Sequence, residues 1–214
     1  MNHLTAILLT VLLVPSAAPA QQPAGAAPAP AQAPAAASPD TWRVDSSHSS
    51  AGFSVRHMMV ATVRGTLGPM SGAVEYDGKD VTSVRADVTI DVTKINTGNE
   101  RRDNDLRGAD FFDVATYPTI TFKSKRVQPG GEGGFRLVGD LTMRGVTKEV
   151  TLEVEEPSPA VKDQRGGLKI GATATTKLNR RDFGLNYSNL IEAGPVVGDE
   201  VTVTIDLELN KAAR

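Results

Sequence analysis

From Thr41 onward, apolar and polar residues alternate with a period of two. Trp42 and Val44 share one face, as do Ala51, Phe53, Val55 and His57. Val84, Ala86, Val88, Ile90 and Val92 alternate with Arg85, Asp87, Thr89 and Asp91. Ile120 and Phe122 form a short row, and Phe135, Leu137, Gly139, Leu141 and Met143 a longer one. Val150, Leu152 and Val154 follow, then Leu168, Ile170, Ala172, Ala174 and Leu178, and finally Val201, Val203, Ile205, Leu207 and Leu209. Successive side chains of a strand point to opposite faces, so each row predicts an antiparallel strand with one dry and one wet side. Asp77-Gly78 and Arg144-Gly145 are tight-turn candidates, and 129–134 reads as a loose hairpin loop. The count is eight or nine strands. No strand–helix–strand rhythm appears, so a parallel sheet is not expected.

One stretch breaks the alternation. Residues 99–107 begin at a capping Asn99, carry Glu100 in the first turn and Arg107 in the last, and run into Gly108. That order suits the helix dipole and predicts a short helix stopped by a left-handed glycine. Phe111 and Phe112 beyond it are placed to pin this crossover to one end of the sheet. Arg101 and Arg102 read most simply as a solvated face shared with Asp103 and Asp105. A short turn is also expected near Met58-Met59.

Strands with one apolar face must close into a barrel or pack as a sandwich. The inward rows contain small residues (Ala51, Ala86, Gly139, Ala172 and Ala174), and there are few aromatics to fill a centre. An eight-stranded barrel is wide enough to be filled by side chains or to hold one slim ligand. Periodicity alone leaves both open.

Composition narrows the classes. The net charge is −2 with both signs interspersed, which argues against nucleic acid as a partner. The absence of cysteine removes disulfides, thiolate metal sites and cysteine nucleophiles. All the charged residues lie after residue 39. Leu4 to Val14 is an apolar run followed by Ala18-Pro19-Ala20, predicting a cleaved export signal over 1–20 despite the lack of Lys or Arg before it. The run is too short to cross about 30 Å of hydrocarbon, so no integral span is expected after cleavage. Residues 21–39 alternate Ala and Pro, a disordered linker ahead of a domain over 40–212. The expected location is periplasmic or secreted.

Several blocks together resemble the YceI-like polyisoprenoid-binding family. They are His48 through Val60 (HSSAGFSVRHMMV), Thr62-Val63-Arg64-Gly65 into Gly72, Arg102-Asp103 with Leu106, and Ala109 through Asp113. Tyr117-Pro118 leading to Thr121 through Ser124, Gly139 through Lys148, and Arg181 through Leu185 complete the series. The resemblance spans roughly 41–210. It implies an all-β fold: an extended, lipocalin-like antiparallel barrel exported to the envelope, its apolar tunnel taking an isoprenoid, a quinone-like molecule or another fatty amphiphile. It leaves a homodimer open. No cofactor beyond the bound lipid is expected.

With that resemblance, Phe53, Val55, Phe122, Leu141, Met143, Ile170, Ala172, Val203 and Ile205 become expected tunnel-lining residues. His57 shares the row of Phe53 and Val55 and is a candidate for a polar head group, against the plainer reading of a hydrogen-bonded structural histidine. Arg181, in a long connection over 179–200, is a candidate for an anionic head group or a structural ion pair. An enzyme would need His48 or His57 beside a Ser and an Asp, or both histidines with Asp45 or Asp182 around a metal. No G-x-S-x-G or H-E-x-x-H motif supports either, so no catalytic or metal residues are assigned. An envelope adaptor or stress protein without cargo is the remaining alternative.

Overall fold

A computed structural model describes residues 40–131, 133–191 and 194–212; the expected signal and the Ala/Pro linker lie outside the described residues. In chain order the elements are β1 (Thr41–Val44), β2 (Ser50–His57), β3 (Ala61–Thr66), β4 (Met70–Glu75), β5 (Arg85–Asp91), α1 (Glu100–Arg107) and β6 (Thr119–Pro129). They continue as β7 (Phe135–Met143), β8 (Val146–Val154), β9 (Val161–Lys162), β10 (Leu168–Asn179), β11 (Leu190–Ile191), β12 (Gly194–Pro195) and β13 (Val197–Lys211).

The pairing order β13-β1-β4-β5-β6-β7-β8-β10, together with a β10–β13 ladder, closes an eight-stranded antiparallel barrel. Closure depends on β13. One edge of it pairs with β10 from Asn179↔Glu200 to Lys169↔Asn210. Its other edge is shared: β2 takes the first part, to Asp206↔Ser50, and β1 takes Leu209 to Lys211. The β2–β3 hairpin therefore stands outside the ring, as does β9 beside β10. The barrel and its single helix among the described residues agree with the fold expected from the sequence. β4 is a ring strand that the alternation did not reveal.

The inward rows form two apolar clusters. One holds Trp42, Val74, Phe135, Leu137, Leu152 and Leu209; the other, toward α1, holds Ala51, Met70, Ile90, Phe112, Phe183 and Val203. β6 carries a bulge between Ser124 and Arg126, which shifts the inward positions from Ile120 and Phe122 to Val127. That shift explains why the alternation stops after Phe122, since an extra residue turns the following side chains over. Gly139, opposite Ser124, is small for packing rather than for a ligand: an added methyl would lie 2.5 Å from the Lys123 carbonyl oxygen and 2.7 Å from the Phe122 ring. Because one of those neighbours is backbone, Gly139→Ala is expected to destabilise the fold by about 1–3 kcal/mol, read as a lower urea midpoint.

Turn chemistry follows the sequence at Arg144-Gly145, a two-residue hairpin with φ of 49° and 73°. Both central residues are left-handed, as this hairpin type requires. Asp77-Gly78 also makes a turn, but within the longer loop joining the antiparallel strands β4 and β5 rather than in a two-residue hairpin. The Asp77 carboxylate accepts from the Lys79 and Asp80 N–H groups, and the chain makes a 3₁₀ turn over Val81–Ser83 before β5.

α1 starts as expected, with the Asn99 side chain accepting from Arg102 N–H. Its end differs: Gly108 has φ −70° and ψ 171°, an extended residue rather than a left-handed stop. The last-turn carbonyls are met instead by the following coil, where Phe112 N–H reaches Leu106 O and Val114 N–H reaches Arg107 O. Asp103 is not on a solvated face either. It is buried, accepting from the N–H and hydroxyl of Thr97, while Arg102 Nε donates to the same hydroxyl at 2.7 Å.

The long connection over 179–200 is also organised. A 3₁₀ turn over Arg180–Phe183 is followed by the small β11–β12 ladder, and β13 begins already at Val197. The Arg180 side chain is 5% exposed and bonds the carbonyls of Gly198 and Leu185 and the Asp199 carboxylate. Burial pulls its pKa down, and the Asp199 charge opposes that.

Candidate functional site

The barrel centre is not packed solid. Between the two clusters lies a cavity of about 120 Å³. One water needs about 10–15 Å³ of such space, so this is a slot rather than a packing defect. Seven of the eight ring strands contribute to its wall; β1 does not. Phe122, Leu141, Met143, Ile170, Ala172, Val203 and Ile205 all line it, as the alternation placed them. Met70 and Val74 of β4 join them, together with Tyr76 just beyond that strand. Met70 and Val74 share an inward face across Gly72, a two-residue spacing that could have revealed the strand. Tyr76, Thr173 and Thr176 are the polar residues of the wall, and none of the described lining residues is charged. Burial lifts the Tyr76 phenol above its ordinary pKa, with Asp77, Glu156 and Asp80 adding to the effect. It stays neutral at physiological pH.

Phe53, Val55 and His57 line a different space. A second cavity of about 630 Å³ lies between the β2–β3 hairpin and α1, with Val63, Leu106, Phe111 and Tyr187 in its wall. Phe111 and Tyr187 stack with centroids 4.7 Å apart. Charged residues are present here: Arg56, Arg102, Asp105 and Asp110. The two cavities share no lining residue, although one apolar cluster includes Phe53, Leu106 and Phe111 as well as Leu67, Met143 and Val203. The inward row of β2 was legible, but its position outside the ring was not. Arg181 lines neither cavity. Its Nε lies 2.8 Å from Asp199 Oδ1, a structural ion pair whose acidic partner the sequence did not identify.

His48 belongs to a separate polar group. Its Nδ1 lies 3.2 Å from Asp45 and 3.7 Å from Glu208, an arrangement of metal-ligating types. Lys169 already sits among these acids, with Nζ 2.6 Å from Glu208 Oε1, 2.6 Å from Asn210 Oδ1 and 3.6 Å from Asp45 Oδ2. A divalent cation would meet that ammonium charge, so the donor set suits a structural clasp joining the turn after β1 to β10 and β13. His57 ends β2 while His48 precedes it, separated by about 30 Å of extended chain, so the two histidines do not share a site.

Asp45 has a carboxyl held well below the usual carboxylate range, chiefly by His48, with Asn210 and Ser47 N–H adding hydrogen bonds. A depressed folded-state pKa contributes stability above the unfolded value of about 3.9, and that contribution is lost as pH falls below it. Urea midpoints measured from neutral pH down to pH ~2 should therefore drop less steeply in Asp45→Asn than in the parent protein.

Comparison with known proteins matches this architecture. The profile of the YceI-like domain covers residues 42–209. A UPF0312 protein of Staphylococcus aureus strain N315 is 37% identical over 153 residues, spanning 72% of this chain and 86% of the relative. The crystal structure of the Campylobacter jejuni YCEI protein aligns with a TM-score of 0.63 at 29% identity, covering 74% of this chain and 90% of that one. A polyisoprenoid binding domain from Saccharophagus degradans, implicated in plant cell wall breakdown, shares the fold with a TM-score of 0.57 at 20% identity, over 80% of this chain and 98% of that one. The profile spans nearly all of the described barrel, and the closed antiparallel barrel with one short helix is the fold the resemblance implied: this chain belongs to the YceI-like domain family.

Proposed function

We propose that the protein binds and carries a long-chain isoprenoid or similar amphiphilic lipid in the bacterial cell envelope, without making or breaking a bond. The observation that carries this reading is the charge-free apolar slot through the barrel. Each buried CH₂ contributes about 0.8 kcal/mol before the costs of association, so a chain of many carbons needs no catalytic group to be held. The slot is smaller than the ~300 Å³ at which pockets for drug-sized ligands begin, which favours a slender chain over a bulky ring system. Met70 and Met143 give the wall side chains that adjust to such a guest.

His57 is the group a polar head would meet if it reached the second cavity, with Arg56 and Arg102 nearby in the same wall. Envelope location rests on the sequence pattern of residues 1–39; no helix among the described residues is long and apolar enough to cross a membrane. Native mass spectrometry and organic extraction of the purified protein test the reading. Release of a long-chain apolar molecule at near-stoichiometric yield is expected. An empty protein that also takes up no polyprenyl or acyl probe from detergent micelles overturns it.

A further inference from the structure

The end of the molecule bearing the β2–β3 hairpin exposes apolar side chains that cargo binding does not use. Met58, Met59 and Val60 form the loop between these strands and are 37%, 49% and 78% exposed. Met58 and Met59 have φ of 50° and 58°, a left-handed backbone in which Asn or Gly is the usual occupant. Leu190, 77% exposed, lies beside them: Met58 N–H donates to Val196 O at 2.8 Å, Val196 N–H donates to Asn189 O at 2.9 Å, and Leu190 pairs with Pro195. Single exposed apolar residues are ordinary; four grouped at one tip are not.

Charge is distributed to match. Residues 46–74 contain no Asp or Glu but two arginines and two histidines, in a chain whose net charge is −2. Arg56 is clasped directly behind the loop, its Nη2 donating to Met59 O at 2.6 Å and its Nη1 to Thr62 Oγ1 at 3.1 Å. Arg64, exposed and opposite Ser54 in the ladder, lies on the same face of the hairpin. The tip offers only four exposed apolar side chains. It could not bury the ~800 Å² per partner of a standard protein interface, whereas a bilayer accepts a few apolar side chains with cations at phosphate level.

We propose that this tip docks on an anionic lipid bilayer, with Met58, Met59, Val60 and Leu190 entering the interface and Arg56 and Arg64 facing lipid phosphates. The proposal rests on the lipid-carrier reading and names the partner from which cargo is collected or to which it is delivered. His57 and Val197, which pair with each other at the base of the tip, also line the second cavity, so the docked end is the end where that cavity lies.

Full-length processed protein is mixed with vesicles of phosphatidylethanolamine and phosphatidylglycerol, or of phosphatidylcholine alone, and sedimented. The parent should pellet with the anionic vesicles, less so in high salt. A Met59→Asp/Val60→Asp double variant should bind at least about tenfold more weakly, having exchanged two apolar anchors for charges. Val60→Trp, a substitution at an exposed position, should show a blue-shifted emission on vesicle addition. Absence of parent binding, equal binding by the double variant, or an unshifted Val60→Trp spectrum overturns the proposal, as does a parent dimer in sedimentation velocity that the double variant abolishes. Uptake of a polyprenyl probe from detergent micelles separates the two claims. Docking alone fails if micelle uptake is normal and vesicle binding is absent; the carrier reading fails if neither protein takes up probe, whatever the vesicles show.

Discussion

Ala172→Trp is expected to lower uptake of a long-chain ligand by at least about tenfold while leaving the barrel folded. Ala172 is half-buried in the slot wall, on β10, directly opposite Leu207 of β13 in the closing ladder. An indole projecting from that position takes space that a hydrocarbon chain would otherwise fill. Displacing as few as two methylenes at about 0.8 kcal/mol each accounts for a tenfold loss. Overpacking a solid core costs about 1–3 kcal/mol, and the open volume beside Ala172 should keep the stability loss toward the lower end. Lys123→Trp is the control. That residue is exposed on the wet face of β6, paired with Asp87, and an indole there should not alter uptake. A folded Ala172→Trp protein with unchanged uptake would show that the slot does not hold the cargo.

The largest stability effect is expected at Arg180. Its guanidinium serves the Gly198, Leu185 and Val197 carbonyls and the Asp199 carboxylate, tying the 3₁₀ turn after β10 to the start of β13. Here β13 carries extra residues between Val197 and Val201 relative to β2, so the Val197 and Gly198 carbonyls fall outside the regular ladder and need another donor. Arg180→Ala removes that donor and leaves buried acceptors unpaired, a loss of about 3–5 kcal/mol by the precedent of broken buried ion pairs. Arg180→Lys should recover little, because a single ammonium cannot reach acceptors spread around a planar fork. Equilibrium urea unfolding checks both. Losses below 1 kcal/mol would mean that water or a repacked loop satisfies the same carbonyls.

Much of the fold was legible because one physical signal, the two-residue period, persists wherever a strand has one face in the barrel. It failed where that condition lapses. β4 is short and interrupted by Gly72, so only Met70 and Val74 mark its inward face. The bulge in β6 reverses the parity after Ser124, and a fixed two-residue reading cannot follow the reversal. Phe122, Leu141, Met143, Ile170, Ala172, Val203 and Ile205 line one cavity because their strands face one interior. Phe53, Val55 and His57 were grouped with them because a strand's apolar face does not reveal which space it faces. Only the pairing of β13, shared between β1 and β2, separates the ring from the hairpin. Arg180 passed unnoticed for a related reason: its acceptors are backbone carbonyls, which carry no sequence signature.

The sharing of β13 has a consequence for biogenesis. The strand that shuts the barrel is the last of the described strands, and its partners include the first two. Contacts between the beginning and end of a chain are slow to form, because a large loop must be closed before they return any energy. Until that happens β1, β2 and β10 all present bare edges, which are templates for aggregation. A chain emerging residue by residue during synthesis would remain an open sheet until β13 arrives, so closure is a late step whatever the order in which the other strands pair. Deleting β13 should consequently give an insoluble product rather than a smaller barrel.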